Sequence, residues 1–183
     1  MIKPVYVYGS SVLRKVAQNI EPNYPKLDEL IKDMHETMYH SDGVGLAAPQ
    51  VGISIRLFVI DATPLADENP ELEGFKRVFI NAQIAERSKD LVLYSEGCLS
   101  IPNLREDVER PDSIVIKYQD EDFKFHEERF EGIAARIIQH EYDHLDGILY
   151  TDRVSMIRKQ MLKSKLHSIS KGKYNVPYKT KLV

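Results

Sequence analysis

The sequence predicts an α+β fold: mostly antiparallel strands around a central helix carrying H-E-x-x-H, with one helix N-terminal and one C-terminal to them. Three observations predict it. Apolar residues recur at helical spacing before residue 41, short strands broken by turn residues follow from about 56 to 130, and helical spacing returns twice after 131.

From residue 25 to 40, Leu27, Leu30, Ile31, Met34 and Met38 form one apolar face among Lys and Glu, with Asn23 as the expected cap. The loop SDGVG at 41–45 stops this helix, because Gly and Asp favour turns. Strands are expected at 56–61 (RLFVID), 77–82 (RVFINA), 91–94 (LVLY), 113–118 (SIVIKY) and 123–130 (FKFHEERF). In the last of these, Phe123 and Phe125 alternate with polar residues as in a half-exposed strand. The central helix is expected over 131–145. Ser155 is placed to cap a final helix reaching 170, with Ile157, Met161, Leu162, Leu166 and Ile169 as its apolar stripe. No repeat or Gly/Ser linker divides the chain, so residues 1–183 are expected to form one domain with a flexible tail from about 171 to 183.

A length of 183 residues with 43% hydrophobic composition suits a single globular core. Twenty-five basic against 28 acidic residues leave a net charge of −3, which offers no general field for gripping nucleic acid or an anionic membrane. No apolar run approaches a membrane span, and the first residues lack the pattern of a signal peptide. A cytoplasmic protein is expected, with no membrane partner and no sequence-specific nucleic acid. The one cysteine, Cys98, excludes an internal disulfide. A lone Cys is ordinarily a small buried hydrophobe, so its neighbours decide its meaning.

The chemistry concentrates at 139–144, QHEYDH. Four residues turn a helix by about 400°, so the rings of His140 and His144 lie roughly 40° apart on one face and can close on one metal ion. Glu141 stands about 100° round from His140, too far for a comfortable ligand but within reach of a water on the metal. Ile133, Ala134, Ala135, Ile137, Ile138, Leu145, Ile148 and Leu149 surround the motif, and an unpartnered His pair buried among them would be costly. A catalytic metal normally takes three protein ligands and keeps a position open. Downstream, no Glu follows Glu141; Gly147 fits the extended H-E-x-x-H-x-x-G-x-x-H pattern, but Tyr150 stands at its last position. His167 falls on the final helix among Lys and Ser. Upstream, EGCLS at 96–100 ends a strand, where Gly97 permits a turn and Cys98 presents the only thiol. Thiolate with two imidazoles suits Zn²⁺ or Fe²⁺ and disfavours Mg²⁺ or Ca²⁺.

Three separated segments, GVGLAAPQ at 43–50, EGCLS at 96–100 and QHEYDH at 139–144, match G-Φ-G-Φ-A-A-x-Q, E-G-C-L-S and Q-H-E-x-D-H in order and spacing. With them the chain resembles the peptide deformylase family, and GSSVLRKVA at 9–17 looks like that family's opening. The resemblance implies a hydrolase that removes the formyl group from the N-terminal formylmethionine of newly made polypeptides. It implies one divalent metal on Cys98, His140 and His144, Fe²⁺ in the cell with Ni²⁺, Co²⁺ or Zn²⁺ able to substitute. It also implies Glu141 as general base and then acid, with the Gln50 amide and the Leu99 backbone N–H holding the developing oxyanion. Gly45 would meet the substrate backbone, with Val44 and Gly97 beside it in substrate binding. The implied partners are N-formylmethionyl nascent polypeptides.

Ile133 and Ile137 fall at roughly 20° and 60° from His140 on the helix, and Tyr94 shares a strand face with Glu96 and Cys98. They form either an apolar pocket suited to methionine or ordinary core. Glu96 and Asp143 are candidates for orienting the ligands through hydrogen bonds. Arg105 is either a substrate contact or a solvated surface residue. A zincin-like metalloprotease is disfavoured by the missing downstream ligand. A structural metal site would need a fourth ligand and would leave Glu141 without a duty. Lys171, Lys173, Lys179 and Lys181 leave two readings of the tail, a transient ribosome contact or plain solvation.

Overall fold

The computed structural model describes residues 1–183. A short strand β1 (Val5–Tyr6) leads to helix α1 (Leu27–His40), then to strands β2 (Gly45–Ala47), β3 (Leu57–Asp61), β4 (Lys76–Arg87), β5 (Leu91–Cys98), β6 (Ile101–Pro111), β7 (Ser113–Gln119) and β8 (Phe125–Glu131). Helices α2 (Gly132–Leu145) and α3 (Met156–Ser170) follow, and strand β9 (Thr180–Lys181) lies in the tail. The fold is α+β, as the sequence predicts.

β2, β3, β4, β7 and β8 pair in that order into one antiparallel sheet. Its interior strand β3 is apolar at four successive positions because both faces are covered. Leu57 and Val59 pack with Leu27, Leu30, Met34 and Met38 of α1. Phe58 and Ile60 point the other way, into a cluster with Ala135, Ile138, Tyr142 and Leu145 of α2. Phe58 stacks on Phe79 at 4.6 Å between ring centroids. Each such side chain contributes about 1.5–3 kcal/mol on full burial, so the helix with the histidines is fixed by one face of a sheet whose other face is also filled.

Several local expectations change. Asn23 does not cap α1; Lys26 holds the cap position in left-handed geometry at φ 56° with no side-chain cap bond. Asp28 and Glu29 in the first turn complement the helix dipole instead. β6 is a full strand where none was expected, because Pro102, Pro111 and a run of charged residues obscure its alternation. Phe125 is 81% exposed, while Phe130 turns inward and packs on the core. Ser155 does cap α3, its hydroxyl accepting from the Arg158 N–H at 3.3 Å. Of the expected stripe only Leu162, Leu166 and Ile169 face the core cluster containing Ile101, Leu104 and Val108. Met161 sits about 100° away from Leu162 round the helix, and it and Ile157 are exposed.

The tail is docked rather than loose. β9 pairs in parallel with β1, Val5 against Thr180 and Tyr6 against Lys181. The Asn103 side chain donates to the Asn175 carbonyl at 3.2 Å, and the Tyr178 hydroxyl donates to the Leu99 carbonyl at 2.9 Å.

Candidate metal centre

Gly132 adopts φ 58°, a left-handed conformation that suits glycine, and turns the chain from β8 directly into α2. The helix then carries His140 and His144 on its buried side, ring centroids 5.3 Å apart. Opposite them, the β5–β6 ribbon slips register between Gly97 and Cys98. That irregularity brings the Cys98 sulfur within 3.4 Å of His144 Nε2. One donor atom each from Cys98, His140 and His144 lies within 4.8 Å of the others. His167 is exposed on α3 and takes no part in this cluster. A sulfur and two imidazole nitrogens converging at this spacing fit a single Zn²⁺- or Fe²⁺-type ion.

A buried charge network stands behind these three side chains. His140 Nδ1 lies 2.7 Å from Glu96 Oε1. Arg110 donates to both Glu96 oxygens at 2.6 and 2.9 Å, and Arg136 adds a bond at 2.8 Å. A third Arg110 nitrogen reaches Asp143 at 2.8 Å, and Arg153 grips the same carboxylate at 2.5 and 2.6 Å. Burial works against the Glu96 charge, but hydrogen bonds from His140 and Arg110 hold its carboxyl well below the usual range. Glu96 is thus placed to orient His140, whereas Asp143 reaches none of the three candidate ligands and braces Arg110 and Arg153 instead. Arg110, Arg136 and Arg153 were not anticipated. Arg110 could have been found only by recognising β6, since its position on the inner face follows from alternation with Val108.

Glu141 is buried, and its Oε2 has no hydrogen-bond partner. Burial pushes its carboxyl up to about 7. Gly45 faces it so closely that a Cβ there would come within 2.5 Å of Glu141 Oε1. Gln50 is held by the Ala47 N–H, which donates to Oε1 at 2.9 Å. Its Nε2 then reaches Ser100 Oγ at 3.2 Å and Cys98 Sγ at 3.5 Å. The Leu99 side chain abuts Gly43, where a Cβ would meet Leu99 Cδ1 at 3.0 Å.

The structure therefore brings together Cys98, His140, His144, Glu141, Gln50, Gly45 and Leu99. Among the other expected residues, Val44 and Ile133 are half-buried against the core, and Ile137 is inside it. Tyr94 is 44% exposed, with the Arg136 guanidinium 5.7 Å from its ring centroid. A Cβ at Gly97 would come 2.8 Å from Arg105 Nη1. Arg105 itself donates to the Ser95 carbonyl at 2.8 Å, so it braces its own ribbon.

Three convergent soft and borderline donors, an unpaired buried carboxylate one residue along the helix and a side-chain amide aimed at the sulfur define a metal-dependent hydrolase. The family model described as Polypeptide deformylase matches residues 2–160. The chain belongs to this family and is an enzyme that removes the N-formyl group from newly made polypeptides. It is 53% identical to the peptide deformylase of Christiangramia forsetii, over 98% of this chain and 95% of that one. Identity to the Flavobacterium johnsoniae peptide deformylase is 50%, over 99% and 96%. A class I type b peptide deformylase from Acinetobacter baumannii, solved with Met-Ala-Ser bound, superposes with a TM-score of 0.77 at 37% identity, covering 84% of this chain and 99% of that one.

Proposed function

We propose that Cys98, His140 and His144 hold one divalent ion, Fe²⁺ in the cell with Ni²⁺, Co²⁺ or Zn²⁺ able to replace it. In this reading Glu141 moves the proton as formyl is cleaved from N-terminal formylmethionine in the cytoplasm. The observation that carries the reading is Glu141 itself, buried beside a ligand with Oε2 free of any hydrogen bond. A divalent ion at the three ligands supplies Lewis acidity, acidifying water and polarising a carbonyl. Glu141 takes the proton of the attacking water at Oε2. It then delivers that proton to the peptide nitrogen as the C–N bond breaks and formate leaves. Gln50 Nε2 and the Leu99 N–H donate to the formyl oxygen while charge builds there.

Val44, Gly45 and Gly97 offer the peptide close backbone approach. Ile133, Ile137 and Tyr94 supply the apolar wall for methionine. The Met-Ala-Ser peptide in the Acinetobacter relative supports methionine as the first residue. Exposed Lys171, Lys173 and Lys179 are the residues for a transient ribosome contact, while Lys181 also lies 5.3 Å from the Tyr6 ring centroid.

Matched formyl-Met, acetyl-Met and internally quenched peptides, read by release of free amine or by fluorescence, test the proposal. Only the formyl peptide is expected to turn over well. An acetyl methyl would crowd the closely packed Gly45, Glu141 and Gln50, and small misplacements of a reacting carbonyl cost large rate factors. Comparable rates on acetyl-Met, or cleavage of internal bonds, would overturn it.

A further inference from the structure

Leu99 and Ser100 follow the ligand Cys98 where the β5–β6 ladder has slipped, so the regular ladder does not hold their carbonyls. Both carbonyls are nevertheless bonded, and both partners come from distant parts of the chain. The Tyr178 hydroxyl donates to the Leu99 carbonyl at 2.9 Å. The Tyr8 N–H donates to the Ser100 carbonyl at 2.8 Å. Tyr8 and Tyr178 are themselves joined through the β1–β9 pairing, with Val5 N–H on the Lys179 carbonyl at 2.9 Å and Val7 N–H on the Lys181 carbonyl at 3.0 Å. Tyr178 lies beyond the residues 2–160 that match the family model.

We propose that Tyr178 is a positioning residue for the deformylase reaction, its hydroxyl holding the 98–100 turn so that the Leu99 N–H and the Cys98 sulfur keep their aim. The proposal rests on the reading in which the Leu99 N–H serves the formyl oxygen. The physical argument is one of torsion. The Leu99 carbonyl and the Leu99 N–H belong to successive peptide planes that share one α-carbon. Anchoring the first therefore limits the swing of the second. The side chain of Leu99 is stopped on the opposite side by Gly43, and Ser100 Oγ is engaged by Gln50. Without the Tyr178 bond the carbonyl side of the turn is the one loose corner of an otherwise braced loop. Donors that stabilise developing charge act through preorganisation, so a small swing lowers turnover more than it lowers binding.

The test is Tyr178→Phe in the nickel-loaded full chain, which keeps the ring and removes only the hydroxyl. Loss of one net hydrogen bond predicts a fall in kcat of about three- to tenfold, with KM little changed. The visible spectrum of the cobalt-loaded protein should shift as the Cys98 sulfur moves. Tyr174→Phe is the control, because Tyr174 Oη donates to Thr180 Oγ1 within the same tail and leaves Leu99 alone. It should leave kcat and spectrum as they are. Unchanged kcat in Tyr178→Phe overturns the proposal, and so does an equal loss in both variants accompanied by an equal fall in melting temperature. Gln50→Ala, assayed in parallel, separates the two levels. If it keeps full kcat, the oxyanion reading falls and takes this proposal with it. If Gln50→Ala is slow while Tyr178→Phe is not, only the role of Tyr178 falls.

Discussion

His140 Nδ1 lies 2.7 Å from Glu96 Oε1, and that carboxylate is at the same time bound by Arg110 and Arg136. The pairing selects the tautomer in which Nδ1 carries the proton and Nε2 is free to ligate. Glu96→Gln preserves the shape but loses the charge that orients the ring. Its metal affinity should fall by about 10- to 100-fold, measured by competition with a chelator. Wild-type affinity would show that the helix alone orients His140.

On the proposed reading, Glu141→Ala removes a proton carrier and no ligand. Bound metal per chain should stay at the wild-type level while turnover of formyl-Met peptide drops by about 10²- to 10⁴-fold. Parallel loss of metal and rate would make Glu141 a ligand instead.

How much of this was visible in the residues depended on locality. The two histidines, Glu141 and the α2 helix follow from spacing within one turn, and Cys98 and Gln50 from short motifs. β6 and its buried Arg110 were hidden, because a strand whose outer face is charged and whose ends are prolines does not show a simple apolar period. The docked tail was hidden for another reason. Lys-rich segments read as solvated, and only the tertiary partners, β1 for Thr180 and the Leu99 carbonyl for Tyr178, reveal that the tail has somewhere to go.

Gly45→Ala puts a methyl where the Glu141 carboxylate now sits. The fold should survive, since the clash is with a side chain that can rotate. Turnover should fall by about 10²-fold or more as the carboxylate is displaced, read by kcat alongside an unchanged circular dichroism spectrum. A fully active variant would mean that Glu141 has room to spare.

Leu162→Ala and Met161→Ala separate adjacent positions on α3. Leu162 is 3% exposed and Met161 63%. The first should cost about 2–5 kcal/mol in urea unfolding and the second less than about 0.5 kcal/mol. Equal costs would show that Met161 is covered in solution.

His35 lies on the buried side of α1 with Nδ1 unpaired. Burial, then the positive charge of Lys76, lowers its pKa below the ordinary value, with Asp61 opposing. Below about pH 6.5 the unfolded chain takes up a proton that the folded chain resists. Stability should therefore fall as pH drops through that range and recover as pH rises. His35→Gln should flatten this part of the profile of urea midpoint against pH. An unchanged profile would place the titration elsewhere.

Val5 finds its partner at Thr180, almost the whole length of the chain away, and this sets the order of events in folding. Closing so long a loop adds little to the final free-energy cost, because each doubling of loop length costs only about 0.6 kcal/mol. It is slow to find, however, since distant contacts must wait for the nearer ones that bring their segments together. Hairpins such as β5–β6 and the turns of α2 can form early from neighbours. The β1–β9 zipper closes late, after residue 180 has been synthesised. On the proposed role of Tyr178, a nascent copy folds its core before the loop at 98–100 is latched, and catalytic competence trails compaction.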